Sequence, residues 1–101
     1  MILARVVGSV VSTNKEPLIE GIPFLLVERV EPKESLRGTA DYLVAMDAVG
    51  AGPGEIVMVV SGSSSRMTEV TKDRPADATI TAIVDAVESG GAFLYRKGQE
   101  A

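Results

Sequence analysis

Short blocks of β-branched and other apolar residues, parted by glycine, proline and charged turns, recur along this 101-residue chain. Ile2 to Val11 reads as a first strand, with Gly8 a bulge or bend within it. Thr13 to Pro17 is turn chemistry. Phe24 to Val30 reads as a second strand, with Leu25 and Val27 on one face and Leu26 and Glu28 on the other. Glu31 to Ser35 reads as a charged loop that Pro32 keeps from pairing. Gly38-Thr39 leads into a third strand, Asp41 to Val49. Ile56 to Val60 is continuously apolar, the pattern of a strand buried on both faces or covered by a neighbour.

One stretch carries two patterns. Ile80, Ile83, Val84 and Val87 recur at helical spacing, with Asp73 as a cap, Pro75 in a first turn and Gly90-Gly91 as a stop. The β-branched Thr79-Ile80-Thr81 and Ile83-Val84 favour a strand instead. Ser89-Gly90-Gly91 suits a hairpin before a last strand, Phe93 to Arg96. Five or six short strands between such turns predict an all-β fold, a small barrel or sandwich.

The densest signal is Asp47 to Arg66. Gly50, Gly52 and Gly54 fall within five positions and predict a sharp corner or a close approach of backbones. After the apolar block, Gly62-Ser63-Ser64-Ser65-Arg66 offers hydroxyls and a fork-shaped cation but no base to activate them. It reads as an assembly surface before an active site.

Composition narrows the function classes. A chain of this length forms one domain and buries only about two-thirds of its unfolded surface, so association between subunits would add stability. The formal net charge of −4 argues against a general nucleic-acid binder, which normally presents a basic face. No apolar run approaches the roughly 20 residues that span a bilayer. Arg5 and Gly8 interrupt the N-terminal apolar stretch, which does not read as a signal peptide. A bacterial cytosolic protein is the plain reading.

Candidate chemistry is sparse. The chain has no histidine, so Ser63, Ser64 and Ser65 lack the usual base of a serine nucleophile. It has no cysteine, which removes disulfides and thiolate sites. The glycines at 50, 52 and 54 resemble a dinucleotide loop, but phosphate binding needs a helix N-terminus after them, and an apolar strand follows. Asp47, Asp77 and Asp85 form no metal-ligand motif. Asp77 suits the start of a helical turn. Asp47 and Asp85, each read inside an apolar strand, either face solvent or pair with an arginine. Arg66 is the candidate partner because its guanidinium matches a carboxylate through two bonds. Of the four aromatics, Phe24 and Phe93 suit a core, while Tyr42 and Tyr95 suit a rim or interface.

With the N-terminal MILARVVGSVVST and Gly21-Ile22-Pro23-Phe24-Leu25-Leu26-Val27, these motifs carry a resemblance. Gly62-Ser63-Ser64-Ser65-Arg66 is similar to a GSSAR-like motif, with serine at 65 where alanine is common. Arg74-Pro75-Ala76-Asp77-Ala78 matches an RPxDA element, and Gly50, Gly52 and Gly54 match a glycine corner. Together they resemble the EutN/CcmL family, the pentameric vertex proteins of bacterial microcompartment shells. The likeness spans about residues 1–97 as one domain, leaving 98–101 as a polar tail. It implies a five-stranded barrel of oligonucleotide-binding type, with a short helical turn near Ala76 to Thr79 followed by a strand. It further implies a cyclic homopentamer working with hexameric shell proteins in the bacterial cytoplasm, without cofactor, metal, nucleic acid or membrane, and with no enzymatic activity. The loop from Gly62 to Arg66 would then lie near the subunit interface and the central axis. The alternative is a free cytosolic oligomer of similar fold that binds a ligand or single-stranded nucleic acid.

Overall fold

The computed structural model describes residues 1–11, 22–61 and 78–98. They form β1 (Ile2–Val10), β2 (Phe24–Pro32), β3 (Leu36–Asp47), β4 (Ile56–Ser61), β5 (Ala78–Ile83), β6 (Ala86–Ser89) and β7 (Ala92–Arg96). The first five close into a barrel in the order β1-β2-β3-β5-β4, and β6 and β7 form a separate two-stranded sheet. All pairings are antiparallel except the short parallel contact of β3 with β5, where Met46 and Asp47 meet Thr79 and Ile80. No helix among the described residues is long and apolar enough to cross a membrane.

Strand alternation builds two apolar clusters. Val57 pairs with Ala4 and belongs to the barrel core with Val6, Val27, Ala45, Val59 and Ile80. Ile56 pairs with Arg5 on the opposite face of β4 and is just as fully buried. It belongs to a second cluster with Val30, Leu36 and Tyr95, against which Leu3, Val84, Val87 and Leu94 pack. The unbroken apolar run of β4 thus serves the barrel on one face and the β6–β7 hairpin on the other. Each fully buried valine or isoleucine contributes roughly 1.5–3 kcal/mol. The backbone reinforces this contact: Val84 N–H donates to Ile56 O at 2.8 Å.

Gly8 follows a register shift in β1, a bulge at the position the sequence marked. Several expectations are corrected. Glu31 and Pro32 are not loop; they continue β2 and pair with Arg37 and Leu36. Proline at the last position of a strand loses little pairing, and burial of Val30 and Leu36 holds the strands together. The third strand therefore starts at Leu36 and stops at Asp47. Ala78 and Thr79 are not helical either; they open β5, and Thr79 is fully buried. The β-branched run prevailed because β5 pairs on both sides, with β3 and with β4. Ala76 and Asp77 of the expected helical turn lie outside the described residues.

Candidate functional site

The glycine corner is organised by Asp47. This carboxylate ends β3, is only 8% exposed, and accepts three backbone N–H groups. Oδ1 takes those of Val49 at 3.0 Å and Gly50 at 2.9 Å, and Oδ2 takes that of Ala51 at 2.9 Å. Gly50 and Gly54 turn the chain with φ of 76° and 81°, left-handed angles that cost a side chain free energy. Gly52 N–H donates to Glu55 Oε1. The far side of the corner clamps onto β1: Gly54 N–H donates to Val6 O and Val6 N–H to Glu55 O, both at 2.9 Å. β4 starts at Ile56, so no helix N-terminus follows these glycines.

Glu55 ties the corner to the C-terminal hairpin. Its Oε2 lies 2.7 Å from Nζ of Lys97, the residue that follows β7. The hydrogen bonds from Lys97 and from Gly52 hold the Glu55 carboxyl below its ordinary range, and the same partner raises Lys97. Lys97 N–H also donates to Asp85 O at 2.8 Å.

A second device sits on the β2–β3 hairpin. A bulge separates Glu28 from Val30, and Glu28 Oε2 accepts the N–H of Ala40 at 2.9 Å. Ala40 has φ of 59°, the one non-glycine residue with positive φ among those described. Thr39 Oγ1 donates to Arg29 O at 2.9 Å, and Arg29 Nε reaches Asp41 Oδ2 at 3.3 Å. The ion pair is exposed and contributes little, on the order of 0–1 kcal/mol.

The candidate residues divide accordingly. Asp47 sits at the corner with Gly50, Gly52 and Gly54. Asp85 is not inside an apolar strand; it is exposed in the link between β5 and β6. In that two-residue link Val84 packs against the second apolar cluster, and Asp85 faces solvent. Gly62, Ser63, Ser64, Ser65, Arg66, Arg74, Pro75 and Asp77 lie outside the described residues, and so does any pairing of Arg66 with Asp47 or Asp85. Ala78 is buried at the start of β5. Phe93 is 54% exposed rather than core, with the Arg96 guanidinium 4.0 Å from its ring centroid. Tyr95, two residues on and across a register shift in the hairpin, takes the buried place instead. Among the described residues no cluster of His, Cys, Asp or Glu could hold a metal ion. Sequence reading missed Glu55–Lys97 and Glu28–Ala40, since nothing in their spacing brings them together before the barrel does.

The described geometry is a backbone corner braced by two carboxylates on a closed barrel, and comparison with known proteins gives its family. The profile of a family described as "Ethanolamine utilisation protein EutN/carboxysome" matches residues 1–85. The chain belongs to the EutN/CcmL family. The carboxysome shell vertex protein CcmL of Synechococcus elongatus is 40% identical over 97 residues, covering 96% of each chain. The solved structure of Gloeobacter violaceus CcmL superimposes with a TM-score of 0.88 at 39% identity, over 96% of this chain and 98% of that one. The GrpN pentameric microcompartment shell protein of Rhodospirillum rubrum gives a TM-score of 0.76 at 42% identity, over 88% and 99% of the two chains. The EutN/CcmL resemblance carried by the sequence motifs is thus membership. Within the family's profile lie all five barrel strands and the glycine corner; the β6–β7 hairpin follows it.

Proposed function

We propose that this EutN/CcmL chain is a shell vertex protein, a homopentamer that fills the corners of a polyhedral microcompartment in the bacterial cytoplasm. The observation that carries the reading is the match of nearly the whole barrel to named vertex proteins, one of them described as pentameric. The role is geometric. A flat sheet of hexagonal units cannot close on itself, and pentagons at the corners supply the curvature. Head-to-tail contacts between identical copies close such a ring.

In this reading the small residues Gly62 to Ser65 let five chains converge near the axis, and Arg66 contacts a neighbouring subunit. Arg74, Pro75, Asp77 and Ala78 support the same region. The shell facets are hexameric proteins, and the vertex performs no chemistry and takes no cofactor. A nucleic-acid role is not favoured: Tyr95 is buried, leaving Tyr42 and Phe93 as exposed aromatics on an acidic chain. The test is co-production with hexameric shell proteins and electron microscopy of the product. Closed polyhedra only when this chain is present support the vertex role; the same open sheets with or without it contradict it.

A further inference from the structure

Strand order divides the described chain into two parts. β1 to β5 close the barrel by themselves, and among the described residues no barrel strand pairs with β6 or β7. The apolar clusters divide the same way. Every residue of the barrel core, and every partly buried residue packed against it, precedes Val84. The hairpin meets the barrel in the second cluster, with Tyr95, Val87 and Leu94 on its side and Leu3, Val30, Leu36 and Ile56 on the other. The two clusters share no residue, so the hairpin can leave without taking a contact from the barrel core.

The two ends of the hairpin lie together at its root. Ile56 O holds the Val84 N–H at 2.8 Å, and one residue later Asp85 O accepts the Lys97 N–H at the same distance. That second bond closes the hairpin on itself. It also sets the ladder, making Val87 and Tyr95 the next hydrogen-bonded pair. What fastens residues 86–97 to the barrel is therefore the packing of Tyr95, Val87 and Leu94, together with the Lys97–Glu55 ion pair. With Lys97 45% exposed, that pair is weak and screened by salt. A two-stranded hairpin with no packed face is marginal in water, so undocking opens its own ladder as well. β5 is the contrast: it pairs with both β3 and β4 and cannot leave without opening the barrel.

We propose that residues 86–97 form a strap that undocks as one unit from a barrel that stays closed. Its release bares the apolar face of Leu3, Val30, Leu36 and Ile56. Every contact involved lies within one chain, so the strap stands apart from the vertex reading above.

Amide hydrogen exchange on the whole chain tests this. After correction for intrinsic rates, the Val87 and Tyr95 amides are expected to exchange together, roughly tenfold or more faster than those of Val6 and Asp47. The latter two are barrel amides, bonded to Glu55 O and Pro23 O. Tyr95→Ala removes the most buried side chain of the strap. It is expected to speed the Val87 amide by a further factor of roughly ten, to leave Val6 and Asp47 slow, and to raise binding of the apolar dye ANS. Wild-type Val87 and Tyr95 amides that exchange only as slowly as Val6 and Asp47 would make the chain one cooperative unit and overturn the strap. A Tyr95→Ala chain whose Val6 and Asp47 amides open with the rest would overturn it too, because the barrel would then need the hairpin to stay closed.

Discussion

The Glu28 carboxylate occupies the space that a β-carbon on residue 38 would fill: a methyl built on Gly38 falls 2.5 Å from Glu28 Oε2. A β-carbon at 38 would therefore push aside the end of the Glu28 side chain on the adjacent strand, whereas the backbone angles of residue 38 make no demand for glycine. Gly38→Ala should displace Glu28, release the N–H of Ala40 and lower stability by about 1–2 kcal/mol, read from chemical denaturation. Glu28→Gln, which keeps an acceptor, should lose less.

Ala40 gives the opposite sign. Its left-handed angle costs an L-residue roughly 1–2 kcal/mol, while glycine adds about 0.4–1 kcal/mol of unfolded-state entropy. Ala40→Gly should therefore be neutral to stabilising, by up to about 1 kcal/mol. A clear loss of stability by denaturant titration would show that the strain estimate is wrong.

Asp47 is the acceptor for three backbone donors at the corner. Asp47→Ala should cost roughly 2–3 kcal/mol, because the donors of a partly buried turn lose a charged acceptor. Asp47→Asn should fall between. The amides of Val49, Gly50 and Ala51 should exchange faster in the alanine variant while those of β4 stay protected.

The Glu55–Lys97 pair makes hairpin docking depend on pH in a defined window. Glu55 is lowered from 4.5, so its contribution is present above that value and fades as pH falls through the lower, folded one. Lys97 is raised from 10.5, so its contribution is present below that value and fades as pH rises through the higher, folded one. Between the two limits it is flat. The difference in melting temperature between the wild type and Glu55→Gln should be constant across neutral pH and shrink in acid. A difference that peaks near pH 7 is incompatible with this pair.

Much of the fold was legible because the pattern was local. Apolar blocks announced β1, β2 and β4, Ser89-Gly90-Gly91 announced the last hairpin, and Gly8 announced its bulge. The unbroken apolar run of β4 announced burial on both faces, which the two clusters explain. The misreadings were non-local. Pro32 and Glu31 looked like a loop until Val30 and Leu36 were seen sharing a cluster with Tyr95. Phe93 looked like core, but the register of β7 gives the buried side to Tyr95. For the site, Gly50 and Gly54 could be read as a turn by residue type alone. That Asp47 organises the turn was not readable, because the groups it accepts from are backbone N–H groups two to four residues on, which no side-chain pattern announces.

Arg66 remains the side chain on which the sequence motif places subunit contact. Arg66→Ala is expected to weaken the ring without unfolding the barrel, seen as dissociation at higher concentration than wild type with unchanged circular dichroism. An unaltered assembly removes Arg66 from the contact.

The account depends most on the number of chains in the particle. Native mass spectrometry of the purified protein over a range of concentrations tests it directly. A dominant species of five chains is the predicted result. A stable monomer or dimer that persists at high concentration and on adding hexameric shell proteins would contradict the vertex role while leaving the barrel as described.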